Sequence, residues 1–268
     1  MPSTEANIDE LFEDGIANAG AIYKRGNEVV RPLQVHSSSV HQLLKHLQQA
    51  GFTAAPAPIA IDETTERISF MPGVVPAPPY SPWCLEDQTL YEIARLHRSY
   101  HDAVTSFQPE ENCKWNTGLA DPAGVGIVCH NDLGPGNIVF NDGLPTGFID
   151  WDFAAPGRAL WDAARTARAW IPLDDPQNAS TYGFGGLDPI KRFQVFCDGY
   201  GMNRQQRREL LDLLNECNAV SVAYVASQVK QGKPAFVKMW KDYKLDALYK
   251  VRTKWIEDNH DVFVKALI

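Results

Sequence analysis

The sequence predicts an α+β fold with two lobes, a small β-rich N-lobe of residues 1–73 and a larger, mostly helical C-lobe of residues 74–268. Short apolar runs separated by turn residues dominate the first part, which is typical of β-hairpins. Longer segments with apolar residues three and four positions apart dominate the second part, which is typical of helices buried on one face. Between them, residues 74–82 contain four prolines, which indicates a stiff, extended connection.

Two hairpins and one helix are predicted in the N-lobe. The first hairpin spans residues 21–31 and the second spans residues 59–70. Between the hairpins, the serines at positions 37–39 are N-cap candidates for a helix that ends at Gly51. The apolar stripe of this helix consists of Val40, Leu43, Leu44 and Leu47. Nearer the N-terminus, helical spacing predicts one further apolar face, formed by Ile8, Leu11, Phe12 and Ile16.

The C-lobe is predicted to be built from five helices. They cover residues 85–104, 160–170, 189–200 and 204–231, and a C-terminal segment that contains Leu248, Val251, Trp255 and Ile256. Residues 154–157 are predicted as a turn. Residues 171–187 are predicted as a long loop, and a loop of that length in a compact lobe is often functional. We therefore expect it to line or cover a pocket.

Polar side chains cluster where three short apolar strands begin or end. Strands are predicted at residues 127–129 and 138–140, and a third leads up to residue 149. The loop between the first two holds two glycines and a proline, which keep it out of helix and sheet. The polar residues at these strand ends are His130, Asp132, Asn137, Asp150 and Asp152.

These residue types match what phosphoryl transfer from ATP requires. The reaction needs a carboxylate that positions the attacking hydroxyl and accepts its proton, and oxygen ligands for Mg²⁺ on the phosphates. Asp132 suits the first role, and Asn137 and Asp150 suit the second. Asp150 and Asp152 would face the same side of an extended segment, which is unfavourable unless a cation or donors compensate the two charges. Polar caps on the turns of a hairpin are the alternative, but five positions at this spacing favour a catalytic site.

The spacing H-x-D-x4-N followed by I-D-W-D resembles the aminoglycoside phosphotransferase family, whose relatives include choline and homoserine kinases. The resemblance is strongest over residues 128–172 and weaker over residues 23–73. It implies a bilobal protein-kinase-like fold and transfer from ATP, with Mg²⁺, to a hydroxyl of a small molecule. By the same resemblance Asp132 is the catalytic base and Asn137 and Asp150 are the metal ligands. His130, Asp152 and Asp162 are then structural, and position 131 holds Asn where Gly is usual.

The same resemblance predicts the nucleotide site and shows two departures from the family pattern. Arg31 stands where the family usually has a strand lysine, and His41 stands where a helix glutamate usually pairs with it. Arg31 could bind phosphate through its guanidinium fork, or be a surface arginine. The hinge residues Phe70, Met71 and Gly73 are the candidates for contact with adenine. The two departures leave a pseudokinase without turnover as the alternative, whereas a protein kinase is disfavoured because D-F-G and A-P-E segments are absent.

Bulk properties exclude several other classes. A net charge of −8 over 268 residues disfavours a nucleic-acid partner. There is neither an apolar run of transmembrane length nor a signal-peptide pattern, so we expect a cytoplasmic protein that does not bind membranes. Five cysteines without C-x-x-C spacing argue against a disulfide framework. His97 and His101 could ligate a metal, but two packed core histidines without a third ligand are favoured.

The acceptor is predicted only by charge. Residues 76–232 carry a formal charge of −7, and a cleft lined with one sign of charge concentrates ligands of the opposite sign. A cationic hydroxyl compound is therefore one expectation for the acceptor. Solvated surface carboxylates explain the same count, and both explanations stay open. The sequence does not distinguish ATP from GTP as the donor, nor does it predict an oligomeric state.

Overall fold

The computed structural model describes residues 10–11 and 21–266 of the chain. Its N-lobe contains a five-stranded antiparallel sheet with strand order β1-β2-β3-β5-β4. The strands are β1 (Glu10–Leu11), β2 (Tyr23–Arg25), β3 (Glu28–Pro32), β4 (Pro58–Ile61) and β5 (Thr65–Ser69). Both predicted hairpins are therefore present. The predicted helical face near the N-terminus is wrong at Leu11, which pairs with Tyr23 in the sheet. Ile8, Phe12 and Ile16 lie outside the described residues.

Helix α1 (Ser37–Gln49) covers the N-lobe sheet, and its four predicted stripe residues are all buried. The predicted serine caps are wrong, because His36 occupies the N-cap position and caps with no side-chain hydrogen bond. The serines have other partners instead. Ser37 Oγ donates to Glu66 in β5 at 2.7 Å, and Ser39 Oγ accepts from the amide of Lys114 in the C-lobe at 2.7 Å. The serines thus tie the helix to its surroundings rather than cap it.

The segment after β5 contacts the C-lobe directly. Val74 forms two backbone hydrogen bonds with Phe140, each 2.8 Å long. Gly73 has φ of 144°, and a Cβ there would lie 2.5 Å from Val139 Cγ1 and 2.6 Å from the carbonyl oxygen of Phe140. Only glycine tolerates both this backbone conformation and this approach.

The C-lobe is mostly helical, as predicted. Its helices are α2 (Asp87–Val104), α3 (Ala159–Trp170), α4 (Pro176–Thr181), α5 (Pro189–Tyr200), α6 (Arg204–Lys230), α7 (Pro234–Asp242) and α8 (Leu245–Ala266). Helix α2 packs on α5, and α6 packs on both α3 and α8. A capping box of Asn203 and Gln206 begins α6. Within the described ranges, no helix has both the length and the apolar character needed to cross a bilayer.

Four short strands of the C-lobe position the polar motif. β7 (Ile138–Asn141) and β8 (Leu144–Phe148) form a hairpin, and β6 (Ile127–Cys129) pairs with β9 (Ala155–Gly157). Residues 154–157 were predicted as a turn, and this is wrong, because Ala155 and Pro156 pair with Cys129 and Val128. A two-stranded ribbon has only edge strands, where a proline is tolerated.

The predicted loop of residues 171–187 is wrong in part, because residues 176–181 form α4. The carboxylate of Asp175 accepts a hydrogen bond from the amide of Gln177, and Pro176 occupies the first turn. Aspartate followed by proline is a helix-start signal that the sequence already contained. The short helix therefore replaces the middle of the predicted loop.

Candidate active site

The catalytic loop, residues 130–137, connects β6 to β7 and carries the predicted base. Asn137 Nδ2 donates to the backbone oxygen of Asp132 at 2.8 Å and to Asp132 Oδ2 at 3.1 Å. These bonds fix the orientation of the Asp132 carboxylate. They also occupy the amide nitrogen of Asn137. Its Oδ1 accepts no hydrogen bond within the described part of the chain and is therefore the atom available to a cation.

Asp162 of α3 holds the catalytic loop from beneath. Its Oδ2 accepts from the amide of His130 at 2.8 Å, and its Oδ1 accepts from the amide of Asn131 at 2.7 Å. From α2, His97 Nε2 and His101 Nε2 lie 3.1 and 3.0 Å from Oδ2. Burial opposes ionisation of this carboxyl, but the histidines and hydrogen bonds outweigh it and hold the pKa of Asp162 well below its usual range. One carboxylate thus joins α2, α3 and the loop.

Asn131 adopts the left-handed backbone conformation, with φ of 66°. Asparagine is among the few residues other than glycine that adopt it at low cost. The side chain is fully buried, where its Nδ2 donates to the carbonyl of Phe153 at 2.9 Å and its Oδ1 accepts from Trp161 Nε1 at 3.1 Å. Asparagine at this position therefore preserves the backbone geometry expected of glycine and adds two hydrogen bonds to the loop.

Two buried histidines near the loop are neutral. His130 Nε2 donates to the carbonyl of Ile149 at 3.1 Å. In His101, Nε2 faces the Asp162 carboxylate and therefore carries the proton, while Nδ1 accepts from the Tyr200 hydroxyl at 2.6 Å. Burial lowers the pKa of each imidazole to about 4. His97 and His101 are buried, as predicted for core histidines.

The acidic groups that would face the phosphates are electrostatically unfavourable on their own. Burial raises the pKa of Asp132 to about 6, against the positive charges of Arg165 and Arg168. The pKa of Asp150 is raised to about 7, first by desolvation in the cleft and then by the charges of Asp152 and Asp132. A divalent cation would relieve this repulsion, and the donor set of carboxylate and amide oxygens is the one that Mg²⁺ prefers. Asn137 and Asp150 therefore fit a metal.

Asp150 and Asn137 are held together at the base of the β7–β8 hairpin. The amide of Ile149 donates to the carbonyl of Asn137 at 3.0 Å, and Asp150 follows directly in the left-handed conformation, with φ of 60°. This turn sends the chain away from the direction of β8. The two predicted metal ligands consequently lie at the two ends of one hairpin, next to each other.

Arg31 lies in the centre of a buried ion-pair group. Its Nε is 2.9 Å from Glu66 Oε1, and its Nη1 is 2.7 Å from Asp152 Oδ1. Although desolvation opposes it, the charges of Asp152 and Glu66 raise the pKa of Arg31 above its usual value. Arg31 is therefore no surface arginine. It lies beside the acidic segment, in contact with Asp152.

Glu66 belongs to this buried ion-pair group and was not predicted from the sequence. It is fully buried in β5, and His41 Nε2 of α1 lies 2.9 Å from its second oxygen. Burial disfavours its charge, but His41, Arg31 and Ser37 together hold the pKa of Glu66 below its usual value. The strand register pairs Arg31 directly with Glu66. Facing positions in the two predicted hairpins were the signal that could have found it.

The predicted adenine contacts lie in the segment that joins the lobes. Phe70 donates its amide to the carbonyl of Asn27 at 2.8 Å. Met71 and Gly73 follow it, beside the β7–β8 hairpin. Within residues 10–11 and 21–266, the amide of Met71 donates no hydrogen bond to another backbone group. The hinge is therefore adjacent to the hairpin that carries Asn137 and Asp150.

A cavity of about 290 Å³ lies on the C-lobe side of the catalytic loop. Ala169 lines it, and a Cβ on Gly134 of the loop would lie 3.9 Å from the Ala169 methyl. The wall is completed by residues from α4, α7 and α8 together with Tyr80. We refer to this cavity as the tyrosine pocket, after Tyr80, Tyr182, Tyr243 and Tyr249.

Fold and site together define a protein-kinase-like phosphotransferase with two lobes. The model of the phosphotransferase enzyme family APH matches residues 80–193. The trifolitoxin immunity protein of Rhizobium leguminosarum bv. trifolii is 35% identical over 199 residues, which cover 72% of this chain and 75% of that protein. The chain belongs to the APH phosphotransferase family and is a small-molecule phosphotransferase, as the sequence motif predicted.

Solved structures support the fold at low sequence identity. A choline/ethanolamine kinase family protein from Mesorhizobium loti superposes with a TM-score of 0.67 and 12% identity, covering 99% of this chain and 94% of that one. The amicoumacin kinase hAmiN, in complex with AMP-PNP, Ca²⁺ and Ami, gives 0.67 and 13%, covering 94% and 88%. The ADP-bound aminoglycoside phosphotransferase APH(2'')-Ib gives 0.55 and 11%, covering 94% and 95%. These similarities confirm the predicted bilobal α+β class.

Proposed function

We propose that this protein transfers the γ-phosphoryl group of ATP to a hydroxyl of a small molecule in a Mg²⁺-dependent reaction. The observation that carries the proposal is the geometry of the catalytic loop, where Asn137 orients the Asp132 carboxylate and the Asp162 network holds the backbone. Such a carboxylate can bind the acceptor hydroxyl and take its proton as the oxygen attacks phosphorus. The bond to the ADP oxygen breaks in the same displacement.

The remaining site residues bind and orient the nucleotide. Asn137 Oδ1 and the Asp150 carboxylate would hold Mg²⁺, which neutralises charge on the phosphates when bound. Arg31, held by Glu66, would contact the phosphates, and the backbone of Phe70, Met71 and Gly73 would contact adenine. His130 and Asp152 support the loop and Arg31, respectively. The AMP-PNP and Ca²⁺ bound to the structurally similar amicoumacin kinase support a nucleotide and a divalent cation here.

The name of the curated relative, an immunity protein for trifolitoxin, supports a toxic compound as the acceptor. Phosphorylation would then protect the cell, and it would take place in the cytoplasm, where ATP is abundant. The amicoumacin kinase and the aminoglycoside phosphotransferase among the similar structures are consistent with antibiotic acceptors. The charge-based expectation of a cationic acceptor stays a prediction, and the lining of the tyrosine pocket gives it no support.

A pseudokinase is the second candidate, and one observation favours it. Arg31 lies within 3 Å of both Glu66 and Asp152, so phosphate must compete with Asp152 for it. Release of ADP distinguishes the two candidates. The screen measures ADP formation from Mg·ATP with a panel of amino sugars, macrolides, amino alcohols, sugars and hydroxy acids. We expect at least one of these acceptors to increase ADP formation. Binding of Mg·ATP without ADP formation from any acceptor would instead identify a nucleotide-binding module.

A further inference from the structure

The charged groups of the tyrosine pocket favour an anion. Its charged lining residues are Arg168, Arg252 and Asp174. The one carboxylate is already engaged, because Asp174 Oδ2 lies 2.7 Å from Arg252 Nε. Asp174 Oδ1 accepts from the amide of Asp175 at 2.8 Å and from Asn178 Nδ2 at 3.1 Å. A cationic ligand would therefore find no unoccupied carboxylate among these lining residues.

The two guanidinium groups, in contrast, have unused donors. Arg168 bonds only to neutral groups of the described chain, with Nη2 3.0 Å from Ser221 Oγ and Nη1 3.4 Å from Asn218 Oδ1. Its Nε is buried without a partner. Arg252 uses only Nε, and neither of its terminal nitrogens has a hydrogen-bond partner within residues 10–11 and 21–266. Buried guanidinium groups are normally paired with a carboxylate, and an anion from a ligand would supply the missing partner.

Aromatic rings form most of the remaining wall. Tyr80 and Phe184 pack with ring centroids 5.5 Å apart, and Tyr182 stacks on Tyr243 at 6.2 Å. Arg252 lies over the ring of Tyr182, 5.7 Å from its centroid. Desolvation raises the pKa of Tyr182 to about 12, so its hydroxyl is neutral and can donate a hydrogen bond. The wall suits an apolar or aromatic body with an anionic end.

The pocket adjoins the catalytic loop through Ala169 of its wall. Ala169 faces Gly134, and Trp170 Nε1 donates to the carbonyl of Leu133 at 2.9 Å. The charge of Arg168 also acts on the carboxyl of Asp132. We propose that the preferred acceptor is a hydroxyl compound with an apolar or aromatic body and a carboxylate, which Arg252 and Arg168 bind. This inference rests on the proposed phosphotransfer for the hydroxyl, but its charge preference concerns binding alone.

Three probes of similar size separate charge from shape. They are 4-hydroxyphenylacetate, an anion, tyramine, a cation, and the neutral alcohol tyrosol. We expect ligand-detected NMR titration to show the anion binding at least about tenfold more tightly than tyramine, since charge-assisted hydrogen bonds are the stronger class. Arg252→Gln should remove that preference while leaving tyrosol binding within about twofold. Arg98→Gln, at an exposed arginine on α2 paired with Asp102, is the matched control and should change nothing.

Equal or tighter binding of tyramine overturns the proposal. So does absence of binding by the anion, or an equal loss of all three probes in Arg252→Gln. ADP release with the same probes is measured separately. Selective anion binding without ADP release would support the pocket assignment and count against phosphotransfer. ADP release with cationic acceptors alone would support phosphotransfer and overturn the pocket assignment.

Discussion

Arg31 and Glu66 lie directly opposite each other on β3 and β5, with Nε and Oε1 2.9 Å apart. The carboxylate that pairs with Arg31 therefore comes from a neighbouring strand and not from a helix. Helix α1 contributes His41 to the other oxygen of the same carboxylate. The two departures from the family pattern that the sequence shows, at positions 31 and 41, thus converge on one buried residue.

We expect Glu66→Gln to raise the KM for ATP and lower kcat/KM at least about tenfold, because Arg31 loses the charge that positions it and moves towards Asp152. Steady-state kinetics with varied ATP measures this effect. His41→Gln, which leaves the Arg31–Glu66 pair intact, should have a smaller effect. An unchanged KM for ATP in Glu66→Gln, with the variant folded, would show that Glu66 has no role in nucleotide binding.

Asp132→Asn should reduce turnover by about 10²–10⁴-fold, since loss of a general base typically costs that much. Binding of Mg·ATP, measured by calorimetry, should remain near the wild-type value because the base acts on the acceptor. Asp142→Asn is the control, an exposed aspartate in the β7–β8 turn. Turnover of the Asp132 variant at the wild-type rate would refute its assignment as the base.

Asp150→Asn should weaken Mg²⁺-dependent nucleotide binding and turnover together, because it removes a charged ligand of the ion. Asparagine is chosen since it accepts the left-handed backbone at this position. Nucleotide binding measured with and without Mg²⁺ tests the assignment. If Mg²⁺ strengthened binding as much in the variant as in the wild type, Asp150 would have to be structural.

His101 and His130 should lower the free energy of unfolding as pH drops from about 6.5 towards 4. Their folded-state pKa is about 4, so at these two sites the unfolded chain binds more protons in that window. Asp132 and Asp150 should act in the opposite direction, because their folded-state pKa values are raised to about 6 and about 7. The contribution of each histidine, on the order of 3 kcal/mol, is therefore measured by comparing the urea unfolding of wild type and variant at pH 7, 6 and 5.

Replacing a buried histidine isolates its contribution from those of the carboxylates. We expect the free energy of unfolding of His101→Gln, relative to that of the wild type, to rise as pH drops from 7 to 5, because the variant lacks the buried imidazole that opposes protonation. A difference between variant and wild type that is constant between pH 7 and 5 would contradict the neutral assignment of His101.

Asn131→Ala should destabilise the protein more than Asn131→Gly. Alanine adds about 1–2 kcal/mol of left-handed strain, and the hydrogen bonds to Phe153 and Trp161 are lost in both variants. The groups left unpaired cost about 1–3 kcal/mol. Thermal unfolding of the two variants, side by side, measures the difference. Equal melting temperatures would mean that the backbone conformation contributes nothing measurable.

Most helices and the catalytic loop were predictable because their signals are local. The stripe of α1, the start of α5 and the capping box of α6 each depend on residues within a few positions of one another. Asp132, Asn137 and Asp150 lie within 19 positions along a strand-loop-strand pattern. Glu66 was missed because its role depends on the register between two hairpins. β9 was missed because its partner strand is remote and proline disguises it.

The tyrosine pocket was not predictable from the sequence for the same reason. Its wall combines Tyr80, the short helix α4 and two C-terminal helices, which no local pattern connects. The charge count over residues 76–232 includes Asp174, which is paired with Arg252, so the count alone does not give the charge available to a ligand. The sign of a pocket depends on which charges remain unpaired, and that is a property of the fold.

The contact between Val74 and Phe140 makes the β7–β8 hairpin a spacer of fixed length. One side of the hairpin is hydrogen-bonded to the chain that leaves the hinge, and its two ends carry Asn137 and Asp150. If Phe70 to Gly73 bind adenine and Asn137 and Asp150 bind the metal, as proposed, this contact sets the distance between the adenine end and the phosphate end of the nucleotide site. A substitution that breaks it would then weaken nucleotide binding without touching any residue proposed to contact the nucleotide.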